Sequence, residues 1–327
     1  MNIVLYTPVY YTSPGTQSRV NLIRESLEMT GYKTTIVTGR ESQLQNVYHT
    51  LGKKLLTKEI TWKIIGKMIF KSIYRQKPKN VILFLDVSAS AIPYLKKHDI
   101  NTILSIEDLT PEYKNYDQKA SEKFYQILAK YAEQADAIIS SGYTLSEQLK
   151  RIGLRTIPVP VGLKPYVSLK EALARSPPPI ILHAGQLNIQ RQLDVILSLA
   201  RRYKLMVHNF GKLASNLNHP NIIKYRELTP EKAMRIIKHA HIGLVIEYKK
   251  TYSLNRLYFH TSMLQPIIAE GEGPWIKEAH HLEMRLHSLE AIEKIAENYE
   301  QHVKECAQTQ KKLSIPHIHK PLLNLLQ

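Results

Sequence analysis

Carboxylates and arginines recur in this sequence where apolar runs end. Glu107 and Asp108 follow the run Asn101–Ile106, Asp86 closes the run that begins at Asn80, and Glu247 follows Ile242–Ile246. At the end of a strand that opens on a crevice, a carboxylate can take the proton of an attacking hydroxyl or bind the hydroxyls of a ligand. Either acid of the 107–108 pair can instead cap the helix expected near Thr110, and that alternative stays open. The cations suit a different ligand. Arg191 follows Gly185 by six residues, at the start of an expected helix. A glycine that admits close backbone approach, with a cation at a helix N-terminus, suits a nucleotide diphosphate. Arg256 lies in the first turn of a helix whose expected N-cap is Ser253. A purely structural helix would favour an acid there, so a bound anion accounts for it. An ordinary α/β repeat without a ligand is the alternative.

The elements that would hold these groups are read from hydrophobic period. Asn2–Val9 is an expected strand; a turn containing Gly15 and Thr16 feeds a helix from about Arg19, and a second strand follows Gly31. This βαβ unit places the Gly15–Thr16 loop at the crevice. Further strands are expected at 80–86, 101–106, 135–141, 156–162, 180–185, 205–210, 222–227, 242–246 and 266–269, with helices between them. Leu289–Gln310 reads as one long helix. Three prolines, 177–179, mark an interdomain joint, because proline stiffens the chain and cannot join a sheet interior. The expected organisation is α/β with two doubly wound Rossmann-like domains facing across a cleft: 1–165, a linker 166–178, a second domain 179–310, and a tail 311–327 that packs back on the first domain.

The chain has 327 residues, one cysteine and a formal net charge of +17. A single Cys306 excludes an intramolecular disulfide, and the start of the chain reads as a strand without a basic leader, so a cytoplasmic protein is expected. No apolar run approaches the roughly 18 residues that a spanning helix needs. Between Lys53 and Lys79 nine Lys or Arg face one acid, Glu59, so this stretch holds about half of the excess charge. Apolar residues recur there at helical spacing, Trp62 sits on a flank, and Lys63, Lys67 and Lys71 fall on the remaining face. Three partners are open for this basic amphipathic segment: the protein's own core with the lysines in water, an anionic membrane surface that Trp62, Lys63, Lys67 and Lys71 would meet, and nucleic acid. Nucleic acid is disfavoured, because the basic residues cluster in one stretch and lack interleaved aromatics.

Glu247, then Ser253–Leu257 with Asn255 and Arg256, then Met263–Ile268 resemble the donor-sugar segment of GT-B glycosyltransferases, especially family 4 and related galactofuranosyl- and glucosyltransferases. Their pattern is an acid, a spacer, Asn-Pro-x-Lys-Leu and Gly-x-Pro-Val-Ile. Arg256 stands for the Lys, Gln265 precedes the proline, and Asn255 falls where many members carry a second Glu. The first loop is similar to the family's Pro-x-Gly-Gly turn but has only Gly15, followed by Thr16. Glu107–Asp108 falls on a His-Asp pair that faces the sugar in the family. The segment from Ala135 to Gly162 matches the family in order and spacing.

The resemblance implies transfer of a sugar from a nucleotide diphosphate donor, a UDP-sugar first, to a saccharide or lipid-linked acceptor held by the first domain. Gly185, Arg191, Ser253, Asn255 and Arg256 would bind the donor, Glu247 its sugar hydroxyls, and Gly15 and Thr16 would line the acceptor side. For inversion at the anomeric carbon the ranked bases are Glu107, Asp108 and Asp86; retention would need none. The chain has no Asp-x-Asp sequence, so no metal or other cofactor is expected. An epimerase acting on nucleotide-sugars is the alternative within this architecture, and a non-catalytic nucleic-acid binder the alternative outside it.

Overall fold

The computed structural model describes residues 2–9, 14–39, 53–175, 179–208, 213–225, 235–248, 252 and 254–327. The chain divides into two compact units, Met1–Gly162 with Lys250–Ser253 and Ile315–Gln327, and Leu163–Lys249 with Leu254–Ser314.

The first unit holds β1 (Asn2–Thr7), β2 (Lys33–Thr38), β3 (Asn80–Phe84), β4 (Asn101–Ile106), β5 (Ala137–Ser140) and β6 (Ile157–Pro158). They form one parallel sheet in the order β2-β1-β3-β4-β5-β6. Side chains alternate across a strand, and both faces are covered, which is why these strands read as continuous apolar runs. Val4, Tyr6, Val81, Leu83 and Leu104 pack with Trp62, Ile69, Phe124 and Leu128 on one face. Ile3, Leu5, Ile82, Phe84 and Ile103 pack on the other with Val20, Ile23 and Leu27 of the helix Pro14–Met29, and with Leu322, Leu323 and Leu326 near the C-terminus.

The second unit holds β7 (Ile180–Ala184), β8 (Lys204–His208), β9 (Ile222–Tyr225), β10 (Ile242–Glu247), β11 (Ile267–Gly271) and β12 (Leu286–His287). Its sheet is parallel in the order β12-β11-β10-β7-β8-β9. Again the two faces are separate cores, with Leu244 and Ile246 on one and Leu182, Met206 and Val303 on the other. Strand order reverses between β1 and β3 in the first sheet and between β7 and β10 in the second. A doubly wound sheet binds its ligands at such switch points, beyond the carboxyl ends of the strands.

The structure corrects three expectations. The segment 166–178 is not a free linker over its described part. Ser168 and Glu171 form a capping box on the helix Leu169–Leu173, Val167 and Ala172 are buried in the second unit, and Arg175 donates to the carbonyls of Lys238, Met263 and Leu264. The helix expected over 289–310 breaks at Asn298 into Ile292–Glu297 and Tyr299–Leu313. Asn298 leaves helical geometry (φ −112°, ψ 32°) and its side chain caps Lys294.

The basic segment forms the helices Lys53–Leu56 and Glu59–Tyr74. Trp62, placed on the membrane side from sequence, is fully buried; it packs against Phe124 and Tyr131 and donates its indole N–H to the Leu56 carbonyl. The indole is the largest apolar group of the helix, so core burial wins it. The outer face instead carries Ile60 and Ile64, 61% and 57% exposed, with Lys63, Lys67 and Lys71 in solvent.

Candidate active site

In the first unit the site is built on the carboxyl ends of β3 and β4. Leu85 turns the chain at the end of β3 with φ 73°, a strained conformation of the kind stored near functional sites. The turn directs Asp86 inward, where it is fully buried. Its Oδ1 accepts from Val87 N at 2.7 Å and Thr110 Oγ1 at 2.8 Å, and its Oδ2 from Thr110 N at 2.8 Å. Burial raises this carboxyl to about 6, against the pull of those hydrogen bonds. Asp86, and neither acid of the 107–108 pair, therefore ties down the helix Thr110–Tyr113, and its lone pairs are committed to structure.

Glu107 lies one residue beyond β4, buried, and its Oε1 has no hydrogen-bond partner. Burial raises its carboxyl above the ordinary glutamate range, while the nearby Arg19 charge and a hydrogen bond from Thr16 pull it down. Arg19, from the helix Pro14–Met29, is only 2% exposed. It donates to the Val159 carbonyl at 3.0 Å, sits 3.4 Å from Ser105 Oγ, and brings Nε to 3.9 Å from Glu107 Oε1. Sequence reading missed this arginine, whose partners lie 86 and more positions away. Thr16 reaches Glu107 from the first turn of the helix Pro14–Met29, and Gly15 lies in the same turn, so both belong to the helix and not to the loop expected before it.

Asp108 is exposed, and the Tyr252 backbone N–H donates to it. Its carboxyl is pushed up to about 7 by the packed protein around it, then by repulsion from Glu107 and Asp86. Because the residue is open to water, the repulsion between acids is the more secure cause. Tyr252 also donates its hydroxyl to Glu112 at 2.5 Å, so the loop after β10 contributes a residue to the first unit.

In the second unit, Gly185 and Glu247 stand at the ends of β7 and β10, on either side of the switch point. The Ile246 carbonyl accepts from Gln192 Nε2 at 3.1 Å and Arg256 Nη1 at 3.2 Å, which fixes the chain where Glu247 emerges. Arg256, in the first turn of the helix Asn255–Ser262, lays its side chain over Gly185, where an added Cβ would come to 2.8 Å of Arg256 Cδ. Its Nη2 meets Glu247 Oε2 at 2.7 Å. The two residues singled out separately are thus one ion pair, largely withdrawn from solvent at 19% and 7% side-chain exposure.

Arg191, at the start of the helix Gln190–Ala200, lies apart from that pair in an exposed cluster. Its guanidinium is 4.3 Å over the Tyr248 ring and 3.4 Å from Glu270 Oε1, to which the Tyr248 hydroxyl also donates. Asn255 opens its helix, half-buried. Ser253 lies outside the described residues.

Gln265, a departure from the family pattern, is fully buried. Its Oε1 accepts from His260 Nδ1 at 2.7 Å and its Nε2 donates to the Ala240 carbonyl at 3.0 Å. Beneath the site His183 and His260 are fully buried, and burial pushes them down to about 3 and about 4, so both are neutral. Among the described residues no three His, Cys, Asp or Glu side chains are grouped to hold a metal ion, and no helix is long and apolar enough to cross a membrane.

Compared by sequence, the chain matches no protein-family model and no curated protein. Compared by structure, it is similar to Alr3699/HepE of Anabaena in complex with UDP, at 9% identity and TM-score 0.68 over 100% of this chain and 99% of that one. It is similar also to the sucrose-phosphate synthase of Thermosynechococcus elongatus, at 12% identity and TM-score 0.67 over 100% and 98%. An α,α-trehalose-phosphate synthase (UDP-forming) of Burkholderia xenovorans gives 9% identity and TM-score 0.65 over the whole of both chains. Likeness at such identities carries the fold. The chain has the two-domain α/β architecture of GT-B glycosyltransferases.

Proposed function

We propose that this protein is a glycosyltransferase that moves a sugar from a nucleotide diphosphate donor, a UDP-sugar, to a saccharide or lipid-linked acceptor without a metal ion. The observation that carries the proposal is the placement of the chemistry. In a GT-B fold, buried Glu107, whose Oε1 accepts no hydrogen bond, and the Glu247–Arg256 pair each stand at the carboxyl edge of a sheet, at or beside its switch point. The HepE structures hold UDP and UDP-glucose, which supports the choice of nucleotide.

In this reading Arg256 and Arg191 bind the diphosphate and supply the positive field that a metal would otherwise give. Glu247 accepts hydrogen bonds from donor-sugar hydroxyls. Glu107 takes the proton of the acceptor hydroxyl as its oxygen bonds to the anomeric carbon; the bond from that carbon to the diphosphate breaks, and its electron pair leaves with the nucleotide. The configuration inverts. Asp108 is the second candidate base. A cytoplasmic enzyme working at an anionic membrane surface is the setting that the lysine-rich face of the helix Glu59–Tyr74 favours. Ile60 and Ile64 can enter the interface there, in place of Trp62, while each basic residue near an anionic leaflet contributes about 1 kcal/mol.

The test is thermal unfolding against UDP, GDP, ADP and CMP. A bound nucleotide at about 100 times its dissociation constant stabilises by roughly 2.7 kcal/mol. A shift with UDP, and release of UDP from a UDP-sugar only when acceptor is present, is expected. Turnover of the sugar without acceptor would make the protein an epimerase. Steeply salt-dependent binding to DNA or RNA with no response to any nucleotide would make it a nucleic-acid binder.

A further inference from the structure

We propose that Arg19 is a positioning residue for the transfer step: its buried guanidinium, fixed beside Glu107, lets that carboxylate carry its charge inside the protein without bonding to the oxygen that faces it. The inference rests on Glu107 as the base proposed above and adds what keeps that base charged.

The helix Pro14–Met29 turns Thr16, Arg19, Val20, Ile23, Ser26 and Leu27 toward the sheet, a stripe at helical spacing in which every member is buried. Arginine is its only charged member. A guanidinium loses its water at such a position, a cost that partners in the protein must offset. Side chains alternate along a strand, so Ile103, Ser105 and Glu107 follow one another on the face that this helix covers. Arg19 Nε and Nη2 both lie 3.4 Å from Ser105 Oγ, and Nη1 donates to the Val159 carbonyl at 3.0 Å. These contacts fix the guanidinium in place, but Ser105 and the Val159 carbonyl are neutral. The opposite charge is that of Glu107, whose Oε1 lies 3.9 Å from Nε and accepts no hydrogen bond.

That distance divides two effects. Charges 3.9 Å apart attract strongly where water is excluded, yet the carboxylate is not gripped as Glu247 is by Arg256 at 2.7 Å. A carboxylate held that closely loses basicity, and one buried without a cation stays protonated. Arg19, with the hydrogen bond from Thr16, holds Glu107 between these limits against the upward push of burial. The other titratable groups nearby supply no cation. Asp108 is next to Glu107 and feels the repulsion of Glu107, Asp86 and Glu112, so this end of the sheet is rich in acids. His319, packed against the same helix through Ser26, is held down to about 4 by burial and then by Arg19, and is neutral.

Titration of the full chain by NMR, with the glutamate side-chain carboxyls labelled with carbon-13, tests this; the Glu107 signal is the one missing from Glu107→Gln. Without the cation the carboxyl holds its proton more tightly, so in Arg19→Met and Arg19→Gln Glu107 should titrate at higher pH than in wild type. Arg19→Lys restores the charge and should bring the titration back toward wild type. Arg19→Gln keeps an N–H donor for the Val159 carbonyl, so a folding defect in the methionine variant leaves the question answerable. Release of UDP from UDP-glucose, with a panel of saccharides as acceptors, should follow the titration. At pH 7 kcat in the two neutral variants is expected to fall about tenfold or more, the scale of one lost opposite charge, with KM for UDP-glucose unchanged and the rate regained as pH rises. An arginine that only supports the fold would lower the rate at every pH and leave Glu107 titrating as in wild type, which overturns the proposal while Glu107 stays the base. Should Glu107→Gln transfer at the wild-type rate, Glu107 is not the base, and the proposed chemistry and this inference fall together.

Discussion

Three carboxylates meet at the edge of the first sheet, and their surroundings give them different work. Asp86 has three hydrogen bonds that a carboxamide cannot all replace, because an Asn amide nitrogen cannot accept from the Thr110 backbone N–H. Asp86→Asn is expected to lower stability by about 1–3 kcal/mol, the cost of a buried donor left unpaired, and chemical denaturation measures it. Glu107→Gln should instead leave the unfolding midpoint close to wild type, because burial already disfavours the charged carboxyl. It should slow transfer by about a hundredfold or more, the scale of a lost general base. The pH profile follows with its sign: a base must be deprotonated, and burial raises Glu107, so the acidic limb of transfer should lie above the ordinary glutamate range and vanish in Glu107→Gln. Equal rates for the two proteins across pH would remove Glu107 from the chemistry.

At the scale of elements, the helix Glu59–Tyr74 divides its labour by face. Trp62, Ile65, Ile69 and Ile73 are buried, and Gly66 lets the backbone approach Ser90, whose carbonyl oxygen would lie 2.0 Å from an added Cβ. Trp62→Ala should cost about 3–5 kcal/mol. Replacing Lys63, Lys67 and Lys71 with Gln should move stability by no more than about 0.5 kcal/mol yet reduce sedimentation with anionic vesicles at low salt. If the triple variant sediments like wild type, that face does not meet lipid.

The buried histidine layer of the second unit has its own pH signature. His183 and His260 are held below their ordinary 6.5, at about 3 and about 4, chiefly by burial. Between about 4 and 6.5 the unfolded chain therefore binds more protons than the folded one, and stability falls as pH falls, by about 1.4 kcal/mol per pH unit for each imidazole. Calorimetry from pH 7 to 5 should show a falling unfolding temperature; a flat one would mean that the two rings already have access to protons.

For the molecule as a whole, the last residues are part of the first unit's core. Leu322, Leu323 and Leu326 are buried, and His319 joins Ser26 Oγ at 2.7 Å to the Val161 carbonyl at 3.0 Å. Ending the chain after Ser314 removes three core leucines, each worth about 2–5 kcal/mol when truncated to alanine, against a total stability of about 5–15 kcal/mol for a typical domain. Such a protein is expected to lose the first unit's protection from proteolysis, whereas removing the final Gln327 should change nothing measurable.

The sequence by itself determined the strands other than the short edge strand Leu286–His287, their parallel arrangement and the residues at their ends, because a sheet covered on both faces demands unbroken apolar runs whose ends are set locally. That made Glu107, Asp108, Glu247, Gly185 and Arg256 legible as residues of a crevice edge. It could not say which of them touch. The 2.7 Å bond between Arg256 and Glu247, the approach of Arg19 to Glu107, and the membership of Tyr252 in the first unit follow from which elements lie side by side in space. Nor could it orient the basic helix, where Ile60 and Ile64 make one apolar stripe and Trp62, Ile65 and Ile69 another. Only the volume of the core decided between them, since it accepts one stripe and leaves the other, with the lysines, in water.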